Sequence, residues 1–370
     1  MATAVRHGGA VEMPIERIEV SAFELPTEEP ESDGTLEWAS TTIVVVEATA
    51  GGETGLGYTY GDVSVGAFVE SKLIPAVRDV DALAPGAAWT AMQEAIRNAG
   101  RPGLGAMAVS AVDVALWDLK AKLLGVCLAD ALPRFRETVP VYGSGGFTSY
   151  SPPRLREQLR EWVEAGLTAV KVKVGRHPEE DPERLELCRE EIGPQVELMV
   201  DANGAFGPRE ALQQARRYAV FGVSWLEEPV PSEDREGLRF VRERCPAGMA
   251  IAAGEYLSDL DGLEDLCDSV DVVQADVTRV GGITNLLRAD GICRARRRRF
   301  SAHCAPAISA HACCAIETLE HLEFFHDHVR IERMIFDGAP EPEDGRLRPD
   351  RSRPGLGLEL KRADAERFAV

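Results

Sequence analysis

The chain has 370 residues, of which 45% are hydrophobic and 28% are charged, and its formal net charge is −20. Its length exceeds that of one compact domain, so we expect two packed units or one large barrel with an accessory layer. The negative charge disfavours nucleic acid and anionic membranes as partners.

No segment approaches the roughly 18 consecutive apolar residues of a membrane span. Met1–Met13 lacks the apolar run of a signal peptide. The eight cysteines are scattered without a CxxC pair, which is typical of reduced thiols. Together these features predict a cytoplasmic protein without a membrane partner.

Before Val139 the sequence predicts an α+β unit, with strands first and helices after them. The predicted strands are Ile15–Phe23, Thr41–Ala48 and Gly55–Thr59, and the predicted helices are Val65–Val80, Ala87–Asn98 and Met107–Leu124. Between the first two strands, residues 25–34 hold two prolines, a glycine and four acids, Glu28, Glu29, Glu31 and Asp33. This composition predicts a polar loop, which is either a lid or a solvated surface loop.

From Val139 onward, short apolar runs alternate with amphipathic helical segments. The predicted strands are Val139–Ser144, Ala169–Val174, Glu197–Asp201, Val223–Glu227, Ala250–Glu255, Val270–Asp276, Phe300–His303 and a weaker one near Leu322. Strands that alternate with helices are expected to pair in parallel. Eight such units fit a closed β/α barrel better than an open doubly wound sheet.

Nearly every predicted barrel strand ends in a side chain that can take part in chemistry. In chain order these residues are Ser144, Lys173, Asp201, Glu227, Glu255, Asp276, His303 and Glu323. The carboxyl ends of parallel barrel strands share one rim, and barrel enzymes carry their active sites on that rim. We therefore expect these side chains to meet.

Asp201, Glu227 and Glu255 end three consecutive predicted strands. Carboxylates so close together repel one another unless a cation lies between them. An all-oxygen site selects Mg²⁺ or a similar hard ion rather than zinc. The alternative is three separately solvated acids, and His326-Asp327-His328 is a second, weaker cation candidate.

Two further groups predict acid and base chemistry. Lys171 and Lys173 lie two residues apart on one strand and so face the same way, and each ammonium opposes protonation of the other. One of them could then act as a base near neutral pH. Asp276 and His303 end adjacent strands, where a hydrogen bond would fix the imidazole tautomer and support its protonated form.

These residues spell a pattern that resembles the mandelate racemase-like group of the enolase superfamily, over essentially the whole chain. The matching segments are Lys171-Val172-Lys173, Asp201-Ala202-Asn203, Trp225-Leu226-Glu227-Glu228-Pro229, Gly254-Glu255, Gln274-Ala275-Asp276, Gly281-Gly282, Ser301-Ala302-His303 and Leu322-Glu323. The resemblance implies an α/β fold, a (β/α)7β TIM-type barrel over residues 138–344. It also implies an α+β capping domain over residues 1–137, which residues 345–370 complete and whose loops choose the substrate.

The resemblance also implies roles for the site residues. Asp201, Glu227 and Glu255 would bind Mg²⁺. Lys173 would be a base with Lys171 beside it, Asp276 and His303 the catalytic dyad, and Glu323 the group that holds the substrate carboxylate. Asn203 would be an amide that contacts the substrate or supports the site. Ser144, which ends the first predicted barrel strand, is a further candidate for the same role. Relatives tend to form symmetric oligomers, so a homo-oligomer is expected.

The function implied is Mg²⁺-dependent removal of the proton α to a carboxylate, through an enediolate, with dehydration of a sugar acid to a 2-keto-3-deoxy acid as the main prediction. Racemisation or epimerisation of a 2-hydroxy acid, and lactone cycloisomerisation, use the same residues and stay open. A non-catalytic metal-binding scaffold is the remote alternative. The acids of residues 25–34 favour a mono-acid substrate over a diacid, unless they face solvent.

Overall fold

The computed structural model describes residues 5–7 and 10–370. Residues 1–4, 8 and 9 lie outside the described residues, and with them part of the segment used for the signal-peptide prediction. None of the helices in the described part of the chain combines the length and apolar content that a bilayer crossing requires. All eight cysteines are free, and seven of them are buried.

The N-terminal part contains two small antiparallel sheets. Its strands are β1 Val5–His7, β2 Ala10–Glu12, β3 Arg17–Ser32, β4 Glu37–Ala50 and β5 Glu53–Tyr60. β1 pairs with β2, and the other three form a meander in the order β3-β4-β5. The run Ile43–Val46 in β4 is buried because it packs apolar side chains on both faces of this sheet.

The prediction of a loop over residues 25–34 is wrong for most of its length. β3 continues to Ser32, and only a turn at residues 33–36 joins it to β4. Pro26 pairs with Ser40 and Glu31 with Trp38, so the residues between Pro26 and Glu31 form an irregularity in the ladder. Proline lacks the backbone N–H that a regular ladder needs, but an irregular edge position tolerates it.

Short helices and one long helix follow the meander. They are α1 Ser64–Phe68, α2 Ile74–Val77, α3 Pro85–Ala95, α4 Leu104–Leu123 and α5 Leu128–Ala131. A π-helical turn at Val69–Leu73 separates α1 from α2, so the single helix predicted over Val65–Val80 is interrupted. α4 packs directly on the meander because Gly57 has no side chain, and a Cβ there would lie 2.3 Å from the carbonyl oxygen of Ala111.

The rest of the chain forms a closed parallel barrel. Its strands are β6 Val139–Gly145, β7 Ala169–Lys173, β8 Glu197–Asp201, β9 Val223–Glu227, β10 Ala250–Ala253, β11 Val272–Asp276, β12 Arg299–His303 and β13 Leu319–Phe325. Each strand pairs in parallel with the next, and β13 pairs with β6 to close the sheet. The predicted barrel is therefore confirmed, and the open doubly wound sheet is wrong.

Helices cover the outside of the barrel, one after each strand. They are α6 Pro152–Glu164, α7 Asp181–Ile192, α8 Pro208–Tyr218, α9 Arg235–Arg242, α10 Leu260–Leu266, α11 Gly282–Arg296, α12 Pro306–Ala312 and α13 His326–Ile335. Short 3-10 turns lie at Ala219–Phe221, Cys313–Ala315 and Glu366–Phe368. Strand residues alternate between this helical layer and the barrel interior.

Apolar side chains fill the lower interior of the barrel. They are Tyr142, Ala169, Met199, Trp225, Ala252 and Val272. Because inward positions recur every second residue, Lys171 and Lys173 follow Ala169 up the same inner face of β7. The apolar layer thus forms a floor, and the polar strand ends stand above it.

The segment after the barrel runs back to the N-terminal part. It contains β14 Phe336–Asp337, β15 Arg346–Leu347, β16 Glu359–Leu360 and α14 Arg362–Ala365. β15 pairs with β6, and β14 pairs with β16. Arg362 forms an ion pair with Glu47 at 2.7 Å, and the backbone N–H of Val370 donates to the carbonyl of Ala22 at 3.1 Å. The division of the chain at residue 137 stays a prediction.

Candidate active site

Two lysines of β7 enter a cluster of carboxylates above the apolar floor. Lys171 is fully buried and Lys173 is 6% exposed. The Lys171 Nζ lies 2.5 Å from Glu227 Oε1 and 2.8 Å from Glu323 Oε1, and the Lys173 Nζ lies 2.5 Å from Asp201 Oδ2. The parallel register makes these contacts short, since Lys173 pairs with Asp201 and Asp201 with Glu227.

The three acids predicted to bind a cation meet in this cluster. Asp201, Glu227 and Glu255 each offer one carboxylate oxygen, and these oxygens lie within 4.8 Å of one another. All three side chains are buried, so the alternative of separately solvated acids is wrong. Glu255 lies two residues beyond β10, which is shorter than predicted, yet its carboxylate still reaches the others.

Neighbouring donors hold two of these carboxylates in place. The backbone N–H of Asn203 donates to Asp201 Oδ1 at 2.9 Å, and the indole N–H of Trp225 donates to Glu227 Oε2 at 3.0 Å. The φ of Asn203 is +45°, and this left-handed conformation directs its backbone N–H to Asp201. Asn203 therefore supports Asp201 through its main chain. Its side-chain Oδ1 is buried without a hydrogen-bond partner, and the role of the amide stays a prediction.

The electrostatics of the cluster fit a hard divalent cation. Burial, together with the charge of Asp201, raises the pKa of Glu227 to about 8 against the lowering effect of Lys171. Burial and the charges of Glu255 and Asp201 likewise hold the pKa of Glu228 well above its usual range, and Glu228 Oε1 is buried without a partner. This excess of buried negative charge, with oxygen as the only donor atom, is the ligand set that Mg²⁺ prefers.

The expected lowering of the lysine pKa is wrong in its net direction. Burial lowers the pKa of Lys173, but the carboxylates of Asp201, Glu255 and Glu323 together raise it by more, and the result lies above the ordinary value. Lys171 does lower the pKa of Lys173, as the sequence predicts, yet this effect is smaller than that of Asp201. The carboxylates around Lys173 thus outweigh both its burial and the neighbouring lysine.

Asp276 and His303 form the predicted pair at the ends of β11 and β12. His303 Nδ1 lies 2.8 Å from Asp276 Oδ2. The other carboxylate oxygen of Asp276 accepts from the backbone N–H and the hydroxyl of Thr278, at 2.6 and 2.7 Å. With Nδ1 engaged, His303 Nε2 faces the cluster, 3.2 Å from Glu255 Oε2.

Charge determines the protonation of this pair. Burial lowers the pKa of His303, but Cys304 and the carboxylates of Glu323, Glu255 and Asp276 together hold it well above the ordinary value. Burial raises the pKa of Asp276, but its hydrogen bond with His303, the charges of His303 and Arg279 and the hydrogen bond from Thr278 together lower it below the usual range. The pair is therefore a carboxylate with an imidazolium, which can donate a proton from Nε2.

Glu323 is fixed between two strands that close the barrel. The Ser144 hydroxyl donates to Glu323 Oε1 at 2.6 Å, and Glu323 Oε2 lies 3.4 Å from His303 Nε2. Burial raises the pKa of Glu323, but the charges of Lys171, His303 and Lys173, with the hydrogen bond from Lys171, together lower it by more, and the acid stays ionised. Ser144 thus orients Glu323.

The turn between β3 and β4 closes over the ends of β7 and β8. A Cβ on Gly34 would lie 2.2 Å from the carbonyl oxygen of Ala202, so only glycine fits there. The Thr35 hydroxyl donates to the carbonyl of Asn203 at 3.2 Å, and the backbone N–H of Thr148 donates to the carbonyl of Ser32 at 2.8 Å. The hairpin therefore docks on the barrel as a lid.

The four acids of this hairpin have partners of their own. Glu28 and Glu29 are exposed and pair with Arg154. Asp33 accepts from the backbone of the turn that follows it, and Glu31 accepts from the indole N–H of Trp38 at 3.0 Å. Because the four acids are engaged in these contacts, they no longer favour a mono-acid substrate over a diacid.

The described residues contain two groups of side chains arranged to hold a metal ion, and His326-Asp327-His328 is neither of them. Asp327 accepts from Thr41 and Arg330, and His328 stacks on the ring of Tyr60. Burial lowers the pKa of His328 to about 4. This second cation prediction is wrong.

Three residues of the site were missed by the sequence argument. Trp225 and Thr278 hold Glu227 and Asp276, and Cys304 lies beside His303 with its Sγ 3.3 Å from Nε2. The Asp-Val-Thr spacing is a signal for a local hydrogen bond from Thr278 to Asp276, and it could have been read. Nothing in the sequence around Cys304 separates it from a core cysteine.

Comparison with known proteins identifies the family. Residues 154–365 match the model described as enolase C-terminal domain-like. Residues 18–132 match the N-terminal domain model of mandelate racemase / muconate lactonizing enzyme. The chain belongs to the mandelate racemase/muconate lactonizing enzyme family. The resemblance predicted from the sequence motifs is confirmed.

Several family members are similar over most of their length. A mandelate racemase/muconate lactonizing enzyme-like protein from Rubrobacter xylanophilus has a crystal structure with a TM-score of 0.96 and 66% identity, covering 96% of this chain and 100% of that one. The 3,6-anhydro-alpha-L-galactonate cycloisomerase of Streptomyces coelicolor is 30% identical over 372 residues, 96% of this chain and 99% of the relative.

A dehydratase is a third relative. The L-talarate/galactarate dehydratase of Salmonella typhimurium is 33% identical over 278 residues, 74% of this chain and 68% of the relative. Its crystal structure liganded with Mg and L-lyxarohydroxamate has a TM-score of 0.90 and 28% identity, covering 100% of this chain and 96% of that one. The family thus includes both a dehydratase and a cycloisomerase, and membership alone does not choose between the two reactions.

Proposed function

We propose that this protein is a Mg²⁺-dependent enzyme that removes the proton α to the carboxylate of a sugar acid and then expels the β-hydroxyl, giving a 2-keto-3-deoxy acid. The observation that carries the proposal is the placement of two acid-base groups around one carboxylate cluster. Lys173 Nζ contacts Asp201 at 2.5 Å, and His303 Nε2 contacts Glu255 at 3.2 Å. A substrate held at the cluster would have a base on one side and an acid on the other.

Asp201, Glu227 and Glu255 would hold the cation. When bound, Mg²⁺ would supply the positive charge that stabilises a deprotonated substrate acid, and it would compete with Lys173 for the charge of Asp201. Solved family members contain magnesium, including the Salmonella dehydratase, which supports this choice of ion.

The remaining residues would bind the substrate and move protons. Lys173 Nζ would accept the α-proton as a neutral amine, after its ion pair with Asp201 opens, burial and Lys171 lower its pKa, and its own proton passes to solvent. His303 Nε2 would give its proton to the departing hydroxyl, with Asp276 holding Nδ1–H throughout. Glu323, fixed by Ser144 and Lys171, would lie next to the substrate carboxylate, and the docked hairpin would exclude water from the reaction.

Lactone cycloisomerisation is a second candidate. It is favoured by the Streptomyces cycloisomerase, which is similar along nearly the whole of both chains. Ring opening of such a lactone would use the same α-proton removal, with a ring oxygen as the leaving group in place of a hydroxyl. Racemisation or epimerisation would use the two groups on opposite faces of one carbon.

One experiment separates these reactions. The purified protein is incubated with Mg²⁺ and a panel of aldonic acids, aldaric acids and sugar lactones in deuterated water, and products are followed by NMR and by a 2-keto-acid assay. A 2-keto-3-deoxy product supports dehydration, and ring opening of a lactone supports cycloisomerisation. Deuterium at the α-carbon without loss of hydroxyl supports racemisation. If no acid or lactone reacts or exchanges its α-proton, the proposal fails.

We further propose that the protein acts in the cytoplasm as a homo-oligomer on a small carboxylate. Its charge of −20 makes a nucleic acid an unfavourable partner. Light scattering coupled to size exclusion would give the mass in solution. A mass of 40.2 kDa, that of one chain, would contradict the oligomer.

A further inference from the structure

We propose a second cation site in this protein, formed by His303, Cys304 and Glu323, that binds a thiophilic divalent ion such as Zn²⁺. Its occupation would block proton transfer by His303. The binding itself is independent of the proposed function, whereas the block of turnover rests on it.

The three ligand atoms form a nearly equilateral triangle. Cys304 Sγ lies 3.3 Å from His303 Nε2 and 3.4 Å from Glu323 Oε2, and these last two atoms are 3.4 Å apart. A tetrahedral zinc with bonds of about 2.3 Å to sulfur and about 2.0–2.1 Å to nitrogen and oxygen separates its ligand atoms by roughly 3.3–3.6 Å. The triangle therefore matches one face of a zinc tetrahedron without movement of the backbone.

Each ligand is already held in the orientation that a metal needs. Asp276 engages His303 Nδ1 and leaves Nε2 for the ion, which is the usual arrangement of a metal-binding histidine. Ser144 engages Glu323 Oε1 and leaves Oε2 free to turn to the ion. The carbonyl of Cys304 accepts from the Ser309 hydroxyl at 2.9 Å, which fixes the main chain that carries the thiol. All three side chains are buried, so binding would order little that is now loose.

The chemistry of the ligands separates this site from the three-carboxylate site. Nitrogen and thiolate sulfur select zinc, cadmium or cobalt over magnesium, whereas the oxygen cluster of Asp201, Glu227 and Glu255 selects magnesium. On binding, a metal–sulfur and a metal–nitrogen bond form, and the Cys304 S–H and His303 Nε2–H bonds break. Both protons pass to solvent and no electron is transferred. Both sites could be filled at once.

Bound zinc would block turnover because it would occupy the same imidazole that transfers the proton. His303 Nε2 is the atom that would deliver a proton to the leaving group, and a metal bound there takes up its lone pair. Since Glu255 Oε2 lies only 3.2 Å from the same nitrogen, the ion would also border the magnesium site. Inhibition by zinc should therefore persist at saturating Mg²⁺.

A second cysteine and histidine pair supplies a matched control. Cys127 Sγ lies 3.5 Å from His311 Nδ1, and both residues are buried. Among the described residues, no carboxylate completes a metal-holding group around this pair. Cys127→Ser thus removes a buried thiol next to a histidine without touching the proposed site.

The test uses Cd²⁺ as a spectroscopic probe, because a cadmium–thiolate bond gives an ultraviolet charge-transfer band. Wild type, Cys304→Ser, Cys304→Ala and Cys127→Ser are titrated with Cd²⁺ in excess Mg²⁺. We expect a band that saturates at one equivalent in wild type and Cys127→Ser and is absent from both Cys304 variants. Circular dichroism checks that each variant is folded.

Zinc inhibition is measured in parallel, each variant against its own zinc-free rate. Loss of a direct ligand should weaken zinc binding by more than about tenfold, the smallest loss that residues merely supporting a metal ligand cause. A band that remains in folded Cys304→Ser overturns the proposal, as does a band that excess Mg²⁺ abolishes, because the two ions would then compete for one site. The absence of a thiolate band in wild type also overturns it. Should the chain turn out to have no turnover, the cadmium band still decides the question.

Discussion

Buried acids lie in two regions of the molecule, at the mouth of the barrel and at the interface between the N-terminal part and the barrel. The two regions are equally buried, but their acids differ in how they are neutralised. At the mouth, Asp201, Glu227 and Glu323 share two lysines. At the interface, Glu332 has Tyr58 and the backbone N–H of Ala307 for itself. Asp113 likewise accepts from the backbone N–H and the hydroxyl of Thr284.

This difference distinguishes a site from a structural contact. A buried acid with its own donors is satisfied and holds two elements together. Buried acids that outnumber the cationic side chains beside them carry negative charge that is not neutralised. A bound cation can neutralise it. Burial and shifted pKa values occur in both regions, so neither property by itself separates a functional site from a structural contact.

The largest expected effect comes from removing the base at the mouth. Lys173→Ala should lower kcat/KM by up to about 10⁴-fold, the upper range for a positioned general base. Steady-state kinetics with Mg²⁺ and any substrate found active would measure it, alongside Glu332→Gln, for which we expect a rate within about twofold of wild type. Equal losses in the two variants would erase the distinction between the regions.

The next effect concerns the stability of the interface. Burial raises the pKa of Glu332 from its ordinary value near 4.5 to about 8, against the lowering effect of its hydrogen bond with Tyr58. The folded protein therefore keeps a proton that the unfolded chain releases above pH 4.5. The stability contributed by this group is fully present below about pH 4.5, falls as the pH rises to about 8, and is then constant.

Glu332→Gln should flatten this dependence by a few kcal/mol, on the order expected from the pKa change. Its amide can donate to Tyr58 and accept from Ala307, so the contacts survive. Urea unfolding at pH 5 and pH 8 measures the change, with the exposed Glu94→Gln as control. If both variants lose stability between the two pH values as wild type does, Glu332 does not hold the proton.

Removing one ligand from the mouth should weaken magnesium. Asp201→Asn keeps the shape but takes away one charge of three, and we expect the Kd for Mg²⁺ to rise by at least about 100-fold, more than the loss of a supporting residue produces. Calorimetric titration of Mg²⁺ gives the value. The interface variant Asp113→Asn should bind Mg²⁺ as wild type does. Unchanged affinity in Asp201→Asn would remove the residue from the cation site.

The smallest effect concerns the support of the dyad. Thr278→Val removes the hydroxyl that donates to Asp276 at 2.7 Å but keeps the backbone N–H bond. We expect kcat to fall by about tenfold, the lower range for residues that orient a ligand or base. Thr59→Val removes a buried hydroxyl that donates to the carbonyl of the same residue, Thr278. It should lower the stability by about 1 kcal/mol and leave kcat unchanged. The reverse outcome would assign the Thr278 hydroxyl to stability alone.

Sequence reasoning succeeded where the backbone register decides the outcome. Parallel pairing sets Lys173 beside Asp201, Asp201 beside Glu227, and Asp276 beside His303, whatever the side chains do. The spacing of about one strand and one helix between these residues was therefore enough to predict the barrel and to bring the site together.

Sequence reasoning failed where contacts between residues far apart in the sequence determine the structure or the pKa. The segment from residue 25 to the turn at residues 33–36 is held by hydrogen bonds with Thr148 and Asn203, which lie far away in the sequence. The net shift of the Lys173 pKa depends on a carboxylate 2.5 Å away on the next strand, and its sign reversed the sequence-based expectation. Cys304 looked like one more core cysteine until its distance from His303 was known.

The return of the chain to the capping sheet has a consequence for its synthesis. The backbone of residue 370 bonds to Ala22, and Ala369 bridges to Phe23, both on the edge strand β3. At typical rates of translation the ribosome reaches those residues on the order of tens of seconds after β3 has emerged. Until then the edge of the sheet presents unpaired N–H and C=O groups, which can pair with a neighbouring nascent chain. Slow or truncated synthesis should therefore raise the aggregated fraction.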